Sequence, residues 1–418
     1  MPEVMNMGKY KPYPSYKDSG IEWLGDVPDH WDLKAIKYVA SCNDEALNEN
    51  TAGETEINYV EISGVSSDRG IHEVSRVAFK DAPSRARRIV QNEDVIVSTV
   101  RTYLKSIAQV KEAAENLIVS TGFAVIRPRA IESSFLGYLF HSEYLISEII
   151  SRSVGISYPA INATDLIRLK LPVPVLEEQT AIANFLDQET SKIDLLIEKQ
   201  QAMIALLKEK IISLALNEQI NGKGKMQRLR HLVHVVNRPV VIKDDEKYEA
   251  LGLYNRGRGL FHKPKKPGLE MGDSDFYYVE SGDLIISGQF AWEGAVTMAT
   301  YNENGCVVSH RYPVIRGKSI DTEYLLSLLF TEYGDFLLNE SSRGSAGRNR
   351  PLNLNLLLNE KIRIPSRQVQ DELKRLIKLK TVTEVKAEQA IALLKERKTA
   401  LISAAVTGKI DVREHINV

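Results

Sequence analysis

The sequence has little cysteine, no long apolar run and almost no net charge. Its two cysteines, Cys42 and Cys306, lie in different halves of the 418-residue chain and form no Cys-x-x-Cys pair. This predicts buried free thiols rather than a disulfide framework or a thiolate zinc site. No segment reaches the roughly 18 consecutive apolar residues of a membrane span, and the opening MPEVMNMGKYKP lacks the apolar region of a secretion signal. We therefore expect a cytosolic protein with no membrane contact.

The sequence also lacks the common catalytic motifs. It contains no GxxxxGK[ST], no dinucleotide GxGxxG after a strand, no HExxH and no GxSxG. NGKGK at Asn221 is predicted to end a helix rather than to bind phosphate, and DDEK at Asp244 is predicted to be a solvated charge run rather than a nuclease cluster. His231 and His234 have no apparent third metal ligand. These absences predict a non-catalytic chain without a cofactor or a metal.

An internal repeat organises the chain, which is longer than one hydrophobic core usually serves. Three blocks recur at a single offset of 189 residues. The aligned blocks are NYVEISGVSSDRGIHE from Asn58 with KYEALGLYNRGRGLFH from Lys247, EDVIVS from Glu93 with GDLIIS from Gly282, and VSTGFAVIR from Val119 with VSHRYPVIR from Val308. Three blocks in one register indicate two copies of one unit.

Each copy is predicted to be a mixed α/β domain followed by a long helix. Short β-branched runs such as DVIVSTV and DLIISGQ are typical of strands, and apolar residues at helical spacing predict helical segments from Ser134 and from Asp321. The predicted fold class is α+β, with two pseudo-repeated mixed α/β recognition domains separated by two long helices that form an antiparallel coiled coil. The predicted segments are a first domain over 1–175, a long helix over 176–222, a second domain over 223–366 and a second long helix over 367–412.

The first long helix carries a heptad seam. The stretch from Glu177 to Ile220 contains no Pro or Gly, and its seam residues step by alternating fours and threes. The seam positions are Leu186, Thr190, Ile193, Ile197, Gln200, Ile204, Leu207, Ile211 and Leu214. At about 1.5 Å per residue the helix is about 65 Å long. A compact domain does not need that length for its own core, so we expect the helix to pack on something outside its domain.

The second long helix, over about 369–406, fits the same pattern less regularly. Lys380, Glu384 and Lys398 interrupt its seam. The positions that fit are Leu373, Ile377, Ala387, Ile391, Leu394, Leu401 and Ala405. Because the two helices offer apolar stripes of similar length, we expect them to pair antiparallel within one chain, with the domains at opposite ends of a rod. The alternative is a coiled coil that pairs only with another copy of the chain.

Basic and aromatic residues concentrate at matching places in the two copies. Such residues contact phosphates, base edges and sugars, although any single basic stretch could be a solvated face. The candidate DNA-binding residues are Arg85, Arg87, Arg88, Arg101, Tyr103 and Lys105 in the first copy, and Arg256, Arg258, His262, Lys263, Lys265, Lys266 and Arg343 in the second. Two similar but unequal readers on a rigid spacer predict recognition of a split, asymmetric DNA site.

Three longer motifs resemble the specificity subunit of type I restriction-modification systems. They are YPSYKDSGIEWLGDVPDHWDLKAIKYVA from Tyr13, LPVPVLEEQTAIANFLDQETSKIDLLI from Leu171 and LLKERKTALISAAVTGKIDVRE from Leu393. The junction IRIPSRQVQDELKRLIKLK from Ile362 is less typical of that family. The resemblance covers nearly the whole chain.

The resemblance implies that each globular part is a target recognition domain for one half of a bipartite site on double-stranded DNA. It also implies that the helices dock methyltransferase subunits, usually two, to which an endonuclease and translocase subunit is added. Methylation and ATP-driven cleavage would belong to those partners. By position, the DNA-facing loops of the family fall on Ser157, Tyr158 and Asn162 in the first copy and on Arg348, Asn349 and Arg350 in the second.

Two alternatives to a DNA reader stay open. One is a structural coiled-coil adaptor whose end domains bind proteins. The other is an enzyme, such as a nuclease, with a cryptic site.

Overall fold

The computed structural model describes residues 10–343 and 350–415. The chain divides into two compact units. The first is formed by residues up to Glu198 together with those from Ala390 onward, and the second by Lys199–Gln389. Each unit contains one copy of the repeat and about half of each long helix.

Short strands dominate the first unit. They are β1 (Tyr16–Asp18), β2 (Asp26–Pro28), β3 (Asp32–Ala35), β4 (Ala40–Cys42), β5 (Glu56–Val60), β6 (Val65–Ser66), β7 (Gly70–Ile71), β8 (Ser75–Ala78), β9 (Ala86–Ile89), β10 (Val95–Ser98), β11 (Ile107–Gln109), β12 (Leu117–Ser120), β13 (Phe123–Pro128) and β14 (Lys170–Val173). The helices that begin in this unit are α1 (Ser133–Phe140), α2 (Glu143–Ser151), α3 (Ala163–Leu166) and the long α4 (Leu176–Asn221).

The second unit has the same kinds of element. Its strands are β15 (Met226–Arg228), β16 (Val233–Val235), β17 (Lys247–Tyr248), β18 (Leu251–Leu253), β19 (Leu260–His262), β20 (Lys266–Pro267), β21 (Phe276–Tyr278), β22 (Leu284–Ile286), β23 (Val296–Met298), β24 (Val307–Ser309), β25 (Val314–Gly317) and β26 (Lys361–Arg363). The helices that begin here are α5 (Leu229–Leu232), α6 (Thr322–Leu329), α7 (Glu332–Glu340), α8 (Leu354–Asn359) and the long α9 (Arg367–Val406).

The sheets confirm the duplication that the sequence predicts. One four-stranded antiparallel sheet has the order β11-β10-β13-β4 in the first unit and β23-β22-β25-β16 in the second. A further sheet of the first unit, β8-β5-β12-β9, pairs β5 with β12 in parallel. In the second unit a parallel bridge between Ala250 and Val307 occupies the matching place, beside the two-stranded pairs β17-β20, β18-β19 and β21-β24.

A buried ion pair recurs at the repeat offset. Asp94 has 0% of its surface exposed and accepts hydrogen bonds from Arg127 Nε and Nη2, both at 2.9 Å. Asp283, also 0% exposed, accepts from Arg238 Nη1 at 2.7 Å and lies 2.8 Å from Arg316 Nη2. Each carboxylate also accepts the backbone N–H three residues earlier, at 2.8 and 2.9 Å. These bonds satisfy two carboxylates that burial would otherwise leave unpaired.

Each helical segment predicted from Ser134 and from Asp321 is two short helices, α1 with α2 and α6 with α7. Ser142 and Thr331 cause the break. Each hydroxyl donates to the carbonyl three residues earlier, at 2.6 Å, and accepts the N–H three residues later, at 3.3 and 3.1 Å. One hydroxyl therefore closes one helix and caps the next.

The three family-like motifs converge on the start of α4. Glu178 is buried and accepts hydrogen bonds from Tyr13 Oη at 2.8 Å and from Trp31 Nε1 at 3.2 Å, while His30 Nε2 lies 2.9 Å from its other oxygen. The Arg413 guanidinium lies 5.0 Å from the centre of the Tyr13 ring. Burial and the hydrogen bond to Glu178 raise the pKa of Tyr13. The negative charge of Glu178 in the first turn also interacts favourably with the positive end of the helix dipole.

Cross-helix ion pairs show that α4 and α9 run antiparallel. Lys398 Nζ lies 2.7 Å from Asp194 in the first unit, and Lys208 Nζ lies 3.3 Å from Glu384 in the second. Within the second unit, Lys210 Nζ also lies 3.9 Å from Glu372, so a step toward the C-terminus on α4, from 208 to 210, goes with a step toward the N-terminus on α9, from 384 to 372. Such a relation is possible only in an antiparallel pair.

Apolar seam residues of the two helices share cores. Leu186 and Leu401 belong to the core of the first unit, and Ile211 and Leu373 belong to the core of the second. The positions Leu186, Thr190, Ile193, Ile197, Gln200, Ile204, Leu207, Ile211 and Leu214 are all buried or half-buried, as are Leu373, Ile377, Ala387, Ile391, Leu394, Leu401 and Ala405. Other apolar residues of the helices, such as Leu206 and Leu393, are 63% and 60% exposed.

The charged residues that interrupt the predicted seam of α9 do not break the helix. Lys380, Glu384 and Lys398 are half-buried at seam positions, and Lys380 Nζ lies 2.8 Å from Glu384. Glu384 also pairs with Lys208 of α4, and Lys398 pairs with Asp194 of α4. Because each charged seam residue has an ion-pair partner, one heptad register continues along the helix. α9 ends at Val406, and the last six residues of the predicted segment 367–412 lie beyond it.

Candidate nucleic-acid interface

Two loops of the first unit lie side by side, the segment after β10 and the segment after α2. Val100 and Ala160 form an antiparallel bridge, Arg101 N donates to Pro159 O at 2.7 Å, and Ile161 N donates to Thr99 O at 2.9 Å. Backbone pairing therefore brings together two stretches that are more than 50 residues apart in the sequence.

An arginine stacks on a tyrosine at the exposed surface of these two loops. The Arg101 guanidinium lies 4.5 Å from the centre of the Tyr158 ring. Arg101 and Lys105 both adopt left-handed backbone conformations, with φ of 51° and 53°, which are uncommon for residues other than glycine and often mark functional loops. Tyr158 is 61% exposed and Tyr103 is 50% exposed. Ser157 and Asn162 are also exposed.

The same loops expose apolar side chains that the sequence reasoning did not select. Ile156 is fully exposed, at 103%, and Val154 is 80% exposed. The signal was present in SVGISYPA, where two β-branched residues flank a glycine, and Gly155 has φ of 119°. An exposed apolar tip beside arginine is able to contact base and sugar surfaces that arginine alone does not.

The basic run at Ser84 does not form one patch. Arg85 pairs with Glu61 at 2.8 Å, and the Arg87 guanidinium lies 4.8 Å from the centre of the Phe79 ring. Arg88 is half-buried in β9, opposite Val119. Alternation along the strand sends neighbouring side chains to opposite faces, so the three arginines do not share one surface.

In the second unit, two basic segments meet at residues 291–294. Arg256 N donates to Glu293 O at 2.9 Å, and the Arg350 guanidinium lies 5.3 Å from the centre of the Trp292 ring. Arg256 has φ of 58°, and Arg258 stacks 5.2 Å from the centre of the Tyr254 ring. The predicted residues Arg348 and Asn349 lie outside the described residues.

Arg256 and Trp292 also line a cleft of about 930 Å³ within the second unit. Lys208 of α4, Lys380 of α9 and Asp335 of α7 contribute polar groups to it. Burial raises the pKa of Asp335. The sequence reasoning did not identify Trp292, which lies in no basic run.

The remaining predicted residues of the second unit have carboxylate partners or lie exposed. His262 Nδ1 lies 2.7 Å from Glu249, and hydrogen bonds to Glu249 and to Glu303 raise the pKa of His262. Lys265 lies 3.5 Å from Glu249, and Arg343 lies 3.2 Å from the glutamate three residues before it. Lys263 and Lys266 are exposed.

Both cysteines are free thiols. Cys42 is half-buried, and burial raises its pKa to about 11. Cys306 is buried, and burial together with nearby carboxylates raises its pKa.

Part of the chain matches a known protein family. Residues 28–205 match the model of the type I restriction modification DNA specificity domain. The MjaVIII specificity subunit of Methanocaldococcus jannaschii is 26% identical over 234 residues, which cover 54% of this chain and 53% of that one. The HindI specificity subunit of Haemophilus influenzae is 28% identical over 152 residues, which cover 35% of this chain and 32% of that one. The chain is thus similar to type I restriction-modification specificity subunits, and its residues 28–205 match their DNA specificity domain. It spans about half the length of the first curated relative.

The fold has a counterpart among solved structures. A chain from the structure titled "Structural basis underlying complex assembly and conformational transition of the type I R-M system" matches with a TM-score of 0.63 at 20% identity. The match covers 92% of this chain and 99% of that one. Within the described residues, no helix combines the length and the apolar character needed to cross a membrane.

Proposed function

We propose that the chain is the non-catalytic DNA-reading subunit of a type I restriction-modification complex and that it recognises a split, asymmetric site. One observation carries this proposal: two copies of one scaffold present different exposed or half-exposed stacks of arginine on aromatic rings. The first copy presents Arg101 on Tyr158, whereas the second presents Arg258 on Tyr254 and Arg350 on Trp292. Equal scaffolds with unequal surfaces would read two different half-sites.

The proposed contacts of the first copy centre on its paired loops. Arg101 and Lys105 are positioned to reach base edges or phosphates, and Tyr103 and Tyr158 offer exposed faces for sugar and base contacts. Ser157 and Asn162 complete the loop. Arg85, Arg87 and Arg88 would contribute less, because each is paired, stacked or partly buried in the unbound protein.

The proposed contacts of the second copy include the residues that the resemblance places at its DNA-facing loop, Arg348, Asn349 and Arg350. Arg256 lies beside Arg350 through their shared neighbours at 291–294. The other proposed contacts are Arg258, Lys263, Lys265, Lys266 and Arg343, whereas both ring nitrogens of the predicted residue His262 face carboxylates, Glu249 and Glu303. Those with carboxylate partners would exchange a weak ion pair for a phosphate, so their net contribution is smaller.

The outer faces of the long helices would dock the partner subunits. Apolar residues off the seam remain exposed there, and such clusters mark interaction surfaces. They are Leu195, Leu196, Met203 and Leu206 on α4, and Leu379, Val382, Val385 and Leu393 on α9. We infer two methyltransferase subunits, one for each half of the pseudo-repeat, and an endonuclease and translocase subunit added to them. Methylation and ATP hydrolysis would take place in these partners.

The test is a map of methylated adenines in cells that express this chain with its methyltransferase subunit. We expect a split, asymmetric sequence with a fixed gap. Arg101→Ala should weaken recognition of one half-site and Arg256→Ala of the other, each by about 1–3 kcal/mol. The matched control is Arg76→Ala, since Arg76 is an exposed arginine of the first unit that pairs with Glu56.

A continuous methylated sequence would overturn the split-site proposal. Absence of sequence-specific methylation, together with unchanged DNA binding by the Arg101→Ala and Arg256→Ala complexes, would favour the protein-binding adaptor instead.

A further inference from the structure

A thiol, an imidazole and a carboxylate meet in the second unit. The ligand atoms of Glu249, His262 and Cys306 all lie within 4.8 Å of one another. Glu249 Oε1 and His262 Nδ1 lie 2.7 Å apart. These residues lie 13 and 44 positions apart in the sequence, so no local spacing motif announces them.

Backbone pairing determines this meeting. Leu251 lies opposite His262 in the β18–β19 ladder, and Ala250 forms the parallel bridge with Val307. Glu249 O also accepts a hydrogen bond from Val307 N at 2.9 Å. Because the cysteine immediately precedes Val307, backbone pairing brings the three segments that carry the ligands together.

We propose that Glu249, His262 and Cys306 bind a zinc ion that fastens the β18–β19 hairpin to β24. Sulfur, nitrogen and oxygen donors together are a zinc ligand set, whereas calcium and magnesium take oxygen ligands. Zinc bonds of about 2.0–2.3 Å require ligand atoms roughly 3.3–3.8 Å apart. The present separations, 2.7 Å between Glu249 and His262 and no more than 4.8 Å between any two ligand atoms, bracket that range.

Glu303 orients the histidine for this role. His262 Nε2 lies 3.3 Å from Glu303 Oε1. The other oxygen of Glu303 accepts Thr300 N at 2.6 Å and Thr300 Oγ1 at 2.7 Å, so the carboxylate cannot turn away. When Nε2–H donates to Glu303, Nδ1 offers its lone pair toward Glu249 and Cys306. A carboxylate behind a ligating histidine is the usual outer partner at metal sites.

Burial and access also suit a metal. Cys306 is 5% exposed and Glu303 is 7% exposed, whereas the His262 side chain is 38% exposed. The buried side of the site, at Cys306, supplies a fixed donor. The exposed side, at His262, leaves an entry path for the metal and a fourth coordination position for water. Metal binding would displace the protons of the thiol and of Nδ1.

The first repeat lacks this ligand set. The positions 189 residues earlier hold Val60, Glu73 and Leu117. The site is therefore a feature of the second recognition domain alone, at the base of the hairpin that carries Arg256 and Arg258.

The test is zinc binding by the untagged full-length chain after treatment with a chelator and dialysis against zinc. We expect one zinc per chain, and with cobalt in its place a thiolate charge-transfer band in the near ultraviolet. Cys306→Ser should abolish the band and the stoichiometric zinc. Cys42→Ser, the matched control, should retain both. Glu303→Gln should keep the band but weaken zinc affinity about 10–100-fold.

Circular dichroism of each variant shows whether it is folded. The proposal is overturned if the wild-type chain binds no zinc, or if Cys306→Ser binds as much as Cys42→Ser. In either case His262 is a histidine held by hydrogen bonds between two carboxylates.

Discussion

Asp94 and Asp283 have no exposed surface, and each depends on arginine for its charge balance. Breaking a buried ion pair leaves a charge that neither water nor protein compensates. We therefore expect Asp94→Asn to lower the free energy of unfolding by about 3–5 kcal/mol. The measurement is the urea midpoint of the isolated chain, and Asp283→Asn should have a similar effect in the second unit.

An exposed ion pair supplies the comparison. Glu56 and Arg76 have side chains 62% and 72% exposed, and solvent screens such pairs, so Glu56→Gln should change stability by less than about 1 kcal/mol. If Asp94→Asn lowered the free energy of unfolding by no more than Glu56→Gln does, the buried ion pair of Asp94 would not be important for stability.

At the level of single elements, the polar positions of the α9 seam have a stability cost. Lys380 and Glu384 are paired and half-buried where other seam positions are apolar. Replacing a partly buried ion pair by apolar residues of similar size is often stabilising. We expect the double variant Lys380→Leu with Glu384→Leu to have a higher urea midpoint and a free energy of unfolding larger by about 1–4 kcal/mol. The same change should relax the register, since polar seam residues specify pairing.

Light scattering would detect the relaxed register as self-association of the double variant. The matched control is Lys378→Leu with Glu388→Leu, two exposed positions off the seam of the same helix, which we expect to change stability by about 0.5 kcal/mol or less. A lower urea midpoint for the seam variant than for this control would contradict the prediction.

Elements with local signals could be predicted from the sequence. The repeat offset follows from three aligned blocks, and the strands β10 and β22 and the length of α4 follow from hydrophobic patterning and from the absence of Pro and Gly. The break between α1 and α2 was missed because apolar spacing continues across Ser142, whose hydroxyl nevertheless ends one helix and caps the next.

Contacts across long sequence separations could not be predicted. Lys398 interrupts a pattern on α9, and its partner Asp194 lies 204 residues away. His262 was read as one more basic residue, although Glu249 and Glu303 hold it from separations of 13 and 41 residues. Single-sequence patterns give residue types at fixed spacing, whereas these environments depend on which strands pair.

At the scale of the whole molecule, the proposed function depends on paired helices that hold two readers at a set separation. Asp194 of α4 pairs with Lys398 of α9. Glu198, four residues beyond Asp194, therefore lies level with Leu394, four residues before Lys398. One heptad inserted after Glu198 and another after Leu393 should therefore lengthen both helices at the same level and keep the seam in register.

Each inserted heptad adds about 10 Å of helix, which corresponds to roughly three base pairs at about 3.4 Å per pair. We expect the methylated site to keep both half-sites and to gain a gap about three base pairs longer. A heptad inserted into α4 alone is the control, because it shifts one seam against the other and should destabilise the pair. If the double insertion left the gap unchanged while methylation persisted, helix length would not set the distance between the two readers.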